Sequence, residues 1–222
     1  MSNPSPSQPL SRDRILHTAL HLVDNGGIEA LSMRKLAEAL GVKAMSLYNH
    51  VANKDDILDG IVDRVIGEID LPPLDTDWQT AIRHRARSAH RVLMRHPWAA
   101  LEIMARVNVG PAMLRYIDTT LGCLRAAGFS LELADHAWNA IDSHIYGFTL
   151  QALNFPFEAA DYATAAEQYL AMIPPEQYPH MNALTHQVIA GQYDGIHSFE
   201  FGLDLILQGL EPLRDRIEPP SP

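Results

Sequence analysis

Apolar residues recur every three to four positions along most of this 222-residue chain, which is the period of an amphipathic α-helix. No stretch alternates between apolar and polar residues over the length of a half-buried strand, so the pattern predicts an all-α protein. In the first third it predicts four helices, over about 11–24, 32–40, 44–50 and 54–69. Paired glycines, Gly26 and Gly27, end the first helix, and Gly41 breaks the second.

A Leu-Pro-Pro-Leu segment after residue 70 separates these helices from a larger helical body. We therefore predict a first unit over 11–70, which includes the fourth helix, and a second unit over 71–215. Residues 1–10 and 216–222 are rich in Pro and Ser and are predicted to form a flexible arm and a flexible tail. Several prolines between 156 and 182 predict a loop with one short helix.

Two segments of the body carry a seam of apolar residues with alternating steps of three and four. The first runs through Leu131, Ala134, Trp138, Ile141, Ile145, Phe148, Ala152 and Phe155, and the second through Ile196, Phe199, Leu203, Ile206, Leu210 and Leu213. Helices with such seams cross at about 20°, so the two could supply half of an intermolecular four-helix bundle. The predicted dimer-interface residues are Ile141, Ile145, Phe148, Phe199, Leu203, Ile206 and Leu210. The alternative is that both seams fill the core of the single chain.

The charge of the chain is unevenly distributed, although its net value of −10 at first argues against nucleic-acid binding. Residues 1–54 carry six basic residues against four acidic ones, and they contain all three lysines of the chain. The rest of the chain is strongly acidic. This asymmetry suggests one part that meets phosphates and another that does not.

The cysteine content and the start of the chain bear on its compartment. Cys123 is the only cysteine, so the chain cannot form an internal disulfide. No segment at the start has the pattern of a secretory signal, and no apolar stretch approaches the roughly 20 residues that span a bilayer. We therefore expect a cytoplasmic protein.

Residues 32–50 have the layout of a helix-turn-helix. Small Ala37 lets two helices cross closely, and Gly41 permits a tight turn between them. The wedge that fixes the angle between the helices comprises Leu36, Leu40, Val42 and Leu47. The residues that then point outward, towards a major groove that admits one helix, are Lys43, Ala44, Met45, Ser46 and Tyr48.

This stretch resembles the tetracycline-repressor (TetR) family of transcriptional regulators. The family's Arg-Lys-Leu-Ala, Leu-Gly-Val, Leu-Tyr-x-His-Val and Asn-Lys patterns are matched at 34–37, 40–42, 47–51 and 53–54. The resemblance is strong over about residues 12–66. It continues more loosely into the body, where His96-Pro97, Gly110-Pro111 and Ala127-Gly128-Phe129 are similar to the C-terminal domain of the tetracycline repressor. It implies an Ω-shaped homodimer whose two recognition helices enter successive major grooves of a palindromic operator.

The resemblance also implies which residues contact DNA. The residues expected at phosphates are Ser32, Tyr48, His50 and Lys54, and those expected at bases are Arg34, Lys43, Ala44, Met45 and Ser46. The archetypal repressor has Gln-Pro-Thr where this chain has Ala44-Met45-Ser46, so we expect apolar contact with thymine methyl groups. In the alternative interpretation Tyr48 packs under the helix, as His50 also can, and Arg34 and Lys43 are ordinary solvated charges.

Regulators of this family usually release DNA when a small molecule binds the C-terminal domain, and the resemblance implies the same here. The predicted pocket residues are Met94, Trp98, Met104, Asn108, Met113, Trp138, Asp142, His144 and Gln151. For most of them the alternative is a place in the core. The tetracycline-binding branch holds a magnesium–drug complex with a histidine before the Gly-Pro break, whereas this chain has Ala-Arg-Val-Asn at 105–108, which argues against that chemistry. Ligand binding is expected to move the fourth helix as a lever.

The eleven histidines raise the question of an enzyme or a metalloprotein. None stands with Cys, Asp or Glu partners at zinc-ligand spacing. The chain has no His-Glu-x-x-His, no glycine-rich phosphate loop and no Gly-x-Ser-x-Gly motif. We therefore predict no metal, no cofactor and no catalysis. Two alternatives stay open within DNA binding: a regulator without a small-molecule effector, and an activator instead of a repressor.

Overall fold

The computed structural model describes residues 9–157, 161–195 and 197–214, and within these ranges the chain forms α-helices and no strand, which confirms the all-α prediction. The helices are α1 (Arg12–Gly26), α2 (Met33–Leu40), α3 (Ala44–Leu47), α4 (Lys54–Gly67), α5 (Trp78–Arg95), α6 (Ala99–Ala105), α7 (Pro111–Ala126), α8 (Leu131–Leu153), α9 (Tyr162–Tyr169), α10 (Pro179–Ile189) and α11 (Phe199–Arg214). The predicted tail over 216–222, and the predicted arm over 1–10 except for its last two residues, lie outside the described residues. No helix in the described part of the chain is both long and apolar enough to cross a bilayer.

Local capping interactions set the ends of the helix-turn-helix. Ser32 Oγ accepts a hydrogen bond from the amide of Lys35 at 3.2 Å and so starts α2. Asn53 Oδ1 accepts from the amide of Asp56 at 2.8 Å and starts α4. Gly41 ends α2 in the left-handed region, with a φ of 69°. The predicted break at Gly41 is present.

The third helix is shorter than the predicted 44–50, because residues 48–50 form a turn after α3. The amide of Val51 still donates to the carbonyl of Leu47 at 3.1 Å, and the Val51 side chain is 3% exposed. Burial of this valine draws the chain out of the helical path and into the N-terminal core. Apolar packing therefore overrides the helical pattern that the sequence shows here.

The first four helices share one apolar core. Its members are at most 7% exposed and come from every helix: Ile15, Leu16, Ala19, Val23, Leu36, Ala37, Leu40, Leu47, Ile57 and Ile61. Burying one aliphatic side chain contributes about 1.5–3 kcal/mol, whereas an isolated helix of a single turn is unstable in water. The position of α3 is therefore held by the burial of Leu47 against its neighbours.

Helix α4 leaves this core and packs against α7 of the body. Asp63 Oδ1 accepts hydrogen bonds from the amides of Ala112 and Met113, each at 3.0 Å, and so caps α7 from the side of α4. A Cβ atom on Gly110 would lie 2.2 Å from Asp63 Oδ1. The Gly-Pro break before α7 is thus required for the two helices to approach this closely.

In the body, α8 packs against α5, α7 and α11. The central residues of the two predicted seams are buried in this bundle, whereas Leu131, Ala152 and Phe155 of the first seam are exposed. The structure corrects the predicted interface for Ile141, Ile145, Phe199, Leu203 and Leu210, because all five are at most 8% exposed within the single chain. The other two predicted interface residues, Phe148 and Ile206, are half-buried, and Ile196 of the second seam lies outside the described residues. A heptad pattern marks the buried face of a helix pair, and here both helices belong to the same chain.

The region between 156 and 182 is more helical than predicted. It contains α9, a 3-10 turn at Leu170–Met172 and the start of α10, whose first residue is Pro179. Proline lacks the amide hydrogen that a first helical residue leaves unpaired, so it begins α10 instead of interrupting it. The prediction of one short helix was wrong because it treated all four prolines as breaks.

Candidate nucleic-acid interface and ligand cavity

The outward face of α3 is the most exposed part of the helix-turn-helix. Met45 is 76% exposed, and Lys43 and Ala44 are also exposed, while Ser46 is half-buried. Leu47, one residue further along, is fully buried. This alternation orients α3 with one side in the core and the other directed to solvent, as a recognition helix requires.

The predicted phosphate-binding residues surround this face. Tyr48 is 47% exposed and His50 is exposed, which disfavours the alternative that either packs under the helix. Ser32 is half-buried and stands at the start of α2, where its hydroxyl oxygen caps the helix and its hydrogen is left to donate to an acceptor. Lys54 is the first residue of α4, so its side chain and the helix N-terminus lie together.

Four cations lie on or just after the helix-turn-helix. Within the described residues, no carboxylate lies within ion-pairing distance of Arg34, Lys35, Lys43 or Lys54. Three of the four are exposed and Lys54 is half-buried. An unpaired cation can neutralise a phosphate without first breaking an ion pair, so this face suits a polyanion. Lys35 was not among the predicted contacts, although it follows Arg34 directly on α2.

An ion pair joins the two helices that flank the helix-turn-helix, α1 and α4. The guanidinium of Arg12 donates to both oxygens of Asp56, at 2.6 and 2.9 Å, and joins the start of α1 to the start of α4. Asp56 also accepts from the amide of Ala52 at 2.8 Å. The hydrogen bond from Arg12 holds the pKa of Asp56 below its usual value. The turn after the recognition helix is therefore tied to the domain at a fixed point.

The body contains a cavity of about 490 Å³ between α6, α7 and α8. Its size lies within the range of small-molecule sites. The wall consists of Ile103, Met104, Arg106, Asn108, Met113, Ile117, Trp138, Asn139, Asp142, Ser143, Tyr146 and Gly147. The mouth lies where Met104, Asn139 and Ser143 are exposed to solvent.

Five of the nine predicted pocket residues line this cavity: Met104, Asn108, Met113, Trp138 and Asp142. The other four lie elsewhere. Met94 and Gln151 are exposed, while Trp98 is buried at the α5–α6 turn with its indole N–H on Asp24. His144 faces α11, where Nε2 lies 2.9 Å from the carbonyl of Phe199. Polarity on an apolar helix marked residues that need partners, but it could not indicate whether the partner is a ligand or another helix.

A buried polar network includes two residues of the cavity wall, Trp138 and Asp142. Asp142 is 5% exposed and pairs with Arg85, which is fully buried, while Trp138 Nε1 donates to Asp142 Oδ2 at 2.8 Å. Tyr116 donates to Asp142 Oδ1 at 3.1 Å. Burial and the neighbouring Asp142 raise the pKa of Tyr146 far above its usual value, so this hydroxyl stays protonated, and it donates to Asp142 Oδ2 at 3.5 Å.

Seven of the twelve lining residues were not predicted from the sequence: Ile103, Arg106, Ile117, Asn139, Ser143, Tyr146 and Gly147. Arg106 directly follows α6, whereas Asn139 and Tyr146 lie on α8, and the packing of α6 against α8 brings them together. Tyr146 follows Asp142 by one helical turn, which was the available signal. In the described part of the chain, no three His, Cys, Asp or Glu side chains are grouped so that they could hold a metal ion.

Comparisons with known proteins agree with this arrangement. Residues 15–61 match a family model described as "Bacterial regulatory proteins, tetR family", and residues 71–214 match "Tetracyclin repressor-like, C-terminal domain". An HTH-type transcriptional repressor from Streptomyces coeruleorubidus is 31% identical, over 94% of this chain and 80% of that protein. The tetracycline repressor protein class D of Escherichia coli is 32% identical, over 91% of this chain and 89% of its own.

Solved structures show the same likeness. ActR from Streptomyces coelicolor in complex with actinorhodin has a TM-score of 0.80 and 32% identity, covering 94% of this chain and 100% of that one. A variant TetR from Acinetobacter baumannii in complex with minocycline has a TM-score of 0.69 and 25% identity, covering 95% and 97%. One family model covers more than half of the chain, and the relatives agree with it. The chain therefore belongs to the tetR family of bacterial regulatory proteins, which are transcription regulators and not enzymes. It is a DNA-binding transcriptional regulator.

Proposed function

We propose that this protein is a repressor that binds a palindromic operator as a homodimer and leaves it when a small molecule enters the C-terminal cavity. The DNA-binding domain extends over 11–70 and the ligand-binding and dimerisation domain over 71–215, with α4 belonging to both. The observation that carries the proposal is the α2–α3 face, which combines an outward Met45 with cations that have no acidic partner among the residues the structure describes. Such a face fits the major groove and the phosphates beside it.

On this proposal the outward residues divide into two groups. Arg34 and Lys43 donate to base edges, while Ala44, Met45 and Ser46 contact thymine methyl groups. Ser32, Tyr48, His50 and Lys54 bind phosphates and fix the register. The exposure of Met45 and Tyr48 supports this division, because neither side chain is needed by the core.

The effector site is the cavity between α6, α7 and α8. Apolar side chains, Ile103, Met113 and Ile117, form one part of its wall, and Asn139, Ser143 and Tyr146 supply polar groups. This mixture suits a largely apolar small molecule that carries several hydrogen-bonding oxygens. The relatives that hold actinorhodin and minocycline support the same class of ligand. The described cavity wall contains no histidine, so a magnesium–drug complex is not part of the proposal.

The dimer forms through the outer faces of α8 and α11, opposite the buried seams. Phe201 is 67% exposed and Leu205, one turn later, is 58% exposed. A Cβ atom on Gly209 of α11 would meet open space. Large apolar side chains beside small residues permit close helix packing. Phe201→Glu should therefore shift the sedimentation of the protein to that of a monomer, whereas Leu74→Glu in the exposed linker should not.

The proposal is tested by selecting duplexes from sheared genomic DNA with the purified protein at fixed salt. The wild type and Arg115→Ala, which removes an exposed cation from α7, should enrich the same palindrome. Arg34→Ala and Tyr48→Ala should lose it. No enrichment by the wild type, or undiminished enrichment by both α2–α3 variants, would contradict the proposal.

A further inference from the structure

One carboxylate at the end of α1 is held by two donors from the body. Asp24 Oδ1 lies 2.7 Å from His96 Nδ1 and accepts the indole N–H of Trp98 at 2.8 Å. His96 ends α5, and its Nε2 lies 3.3 Å from Glu68 Oε2 at the end of α4. The side chains are well shielded, since His96 is 10% exposed and Asp24 24% exposed. We call Asp24, His96 and Trp98 the α1 latch.

The latch joins the end of α1 directly to the turn between α5 and α6, in addition to the contacts that α4 makes with the body. Helix α4 meets the body at several points, including Asp63 on α7 and Arg106, which donates to Asp59 at 2.9 Å. Helix α1 contributes Ile15 and Ala19 to the N-terminal core, so its direction is that of the whole helix-turn-helix. A domain held along one helix can tilt about that helix. A second attachment, at the far end of α1, removes this freedom.

We propose that the α1 latch fixes the orientation of the DNA-binding domain on the body and thereby sets which spacing between operator half-sites the dimer accepts. Asp24 is a positioning residue in this role, since it acts on DNA only through the direction of α1. The inference rests on the proposed function, because half-site spacing has meaning only for a dimer on a two-part operator. The α1 latch therefore determines the half-site spacing, a property that the contacts of the α2–α3 face do not determine.

The geometry of DNA makes spacing sensitive to such a restraint. One extra base pair moves a half-site by about 3.4 Å along the duplex and turns it by about a tenth of a helical turn. A rigid pair of DNA-binding domains cannot follow both changes and loses contacts. A pair that tilts about α4 follows them more easily, so loosening the latch should cost spacing selectivity before it costs base recognition.

The test compares three duplexes: the operator that the wild type selects, and the same operator with one base pair added or removed between its half-sites. Trp98→Phe keeps a buried aromatic ring and removes only the N–H donor, whereas Asp24→Ala removes the shared acceptor. Asp135→Ala removes an exposed carboxylate from α8 and is the matched control. Thermal melting of each variant shows that it is folded.

The wild type and Asp135→Ala should prefer the selected spacing by about ten-fold, a factor that corresponds to about 1.4 kcal/mol. Trp98→Phe and Asp24→Ala should prefer it by about two-fold or less. A purely structural role would lower the affinity for all three duplexes by the same factor, and that result would overturn the inference. A wild type without any spacing preference would also overturn it. If the wild type selects no operator, that result contradicts the proposed function instead. This outcome is observed with the wild type alone, before any variant is tested.

Discussion

The α2–α3 face and the body use their cations in opposite ways. On the helix-turn-helix, Arg34 and Lys43 are exposed and have no carboxylate partner within the described residues. In the body, Arg87 donates to both oxygens of Glu200, at 2.7 and 2.9 Å, and Arg83 pairs with Asp204. These pairs join α5 to α11. Cations therefore hold helices together in the body, whereas those on the α2–α3 face are kept available for a polyanion.

The hydrophobic cores of the two halves differ in whether they contain charged side chains. The N-terminal core is built from aliphatic side chains, whereas the core of the body contains the ion pair between Arg85 and Asp142. An apolar core tolerates small changes in packing at a cost proportional to the volume lost. A buried ion pair tolerates the loss of neither partner, because the remaining charge is left without compensation.

The largest effect should come from breaking that pair. Asp142→Ala leaves the buried guanidinium of Arg85 without its carboxylate, and the free energy of unfolding should fall by about 3–5 kcal/mol. Urea denaturation measures the change. The double variant Arg85→Met with Asp142→Leu should lose less than the single one, since no charge remains. A single variant within about 1 kcal/mol of the wild type would show that the cores do not differ as described.

In the N-terminal half, a substitution at one position should lower stability, whereas a substitution at a nearby position should weaken operator binding. Leu47→Ala opens a hole in the core and should lower the free energy of unfolding by about 2–5 kcal/mol. Met45→Ala, two residues earlier and 76% exposed, should change it by less than about 0.5 kcal/mol while weakening operator binding. Equal loss of stability in both variants would mean that α3 is not oriented as described.

These two positions also show what could be predicted from the sequence. The inward and outward residues of α2 and α3 follow from a spacing of three to four, since both sets lie within about twenty consecutive residues. The cavity depends on contacts between α6, α7 and α8, so only part of its wall was predictable. The seams gave the right periodicity for Ile141 and Leu203 but could not indicate whether the partner helix was in the same chain.

A smaller effect is expected on base recognition. Arg34→Ala should reduce discrimination at one base pair by about 1–3 kcal/mol, measured as the ratio of affinities for the operator and a single-substitution duplex. Arg87→Ala, which removes a paired cation from the body, should leave this ratio unchanged. If both variants reduce it equally, the contrast between available and paired cations does not determine DNA recognition.

The smallest effect concerns the brace behind the recognition helix. The pKa of Asp56 is lowered in the folded protein by the hydrogen bond from Arg12, so its contribution to stability is fully present above the unfolded value of about 3.9. That contribution is lost as the pH falls through the lower folded value. Because Arg12 is half-exposed, the pair should add less than about 1 kcal/mol. The stability difference between wild type and Asp56→Asn should therefore vanish at low pH. A difference that stays constant from pH 7 to pH 2 would contradict this assignment.

The claim that the outward face of α3 enters the major groove is tested most directly by site-specific crosslinking. A cysteine is placed at Met45 in one protein and at Arg115 in another, with the buried Cys123 replaced by alanine in both. Each is mixed with operator DNA that carries a disulfide-activated thiol on one thymine of a half-site. If α3 enters the major groove, we expect a crosslink from position 45 only. This crosslink should disappear when that thymine is moved outside the half-site. A crosslink from position 115, or none from position 45 at any operator thymine, would contradict it.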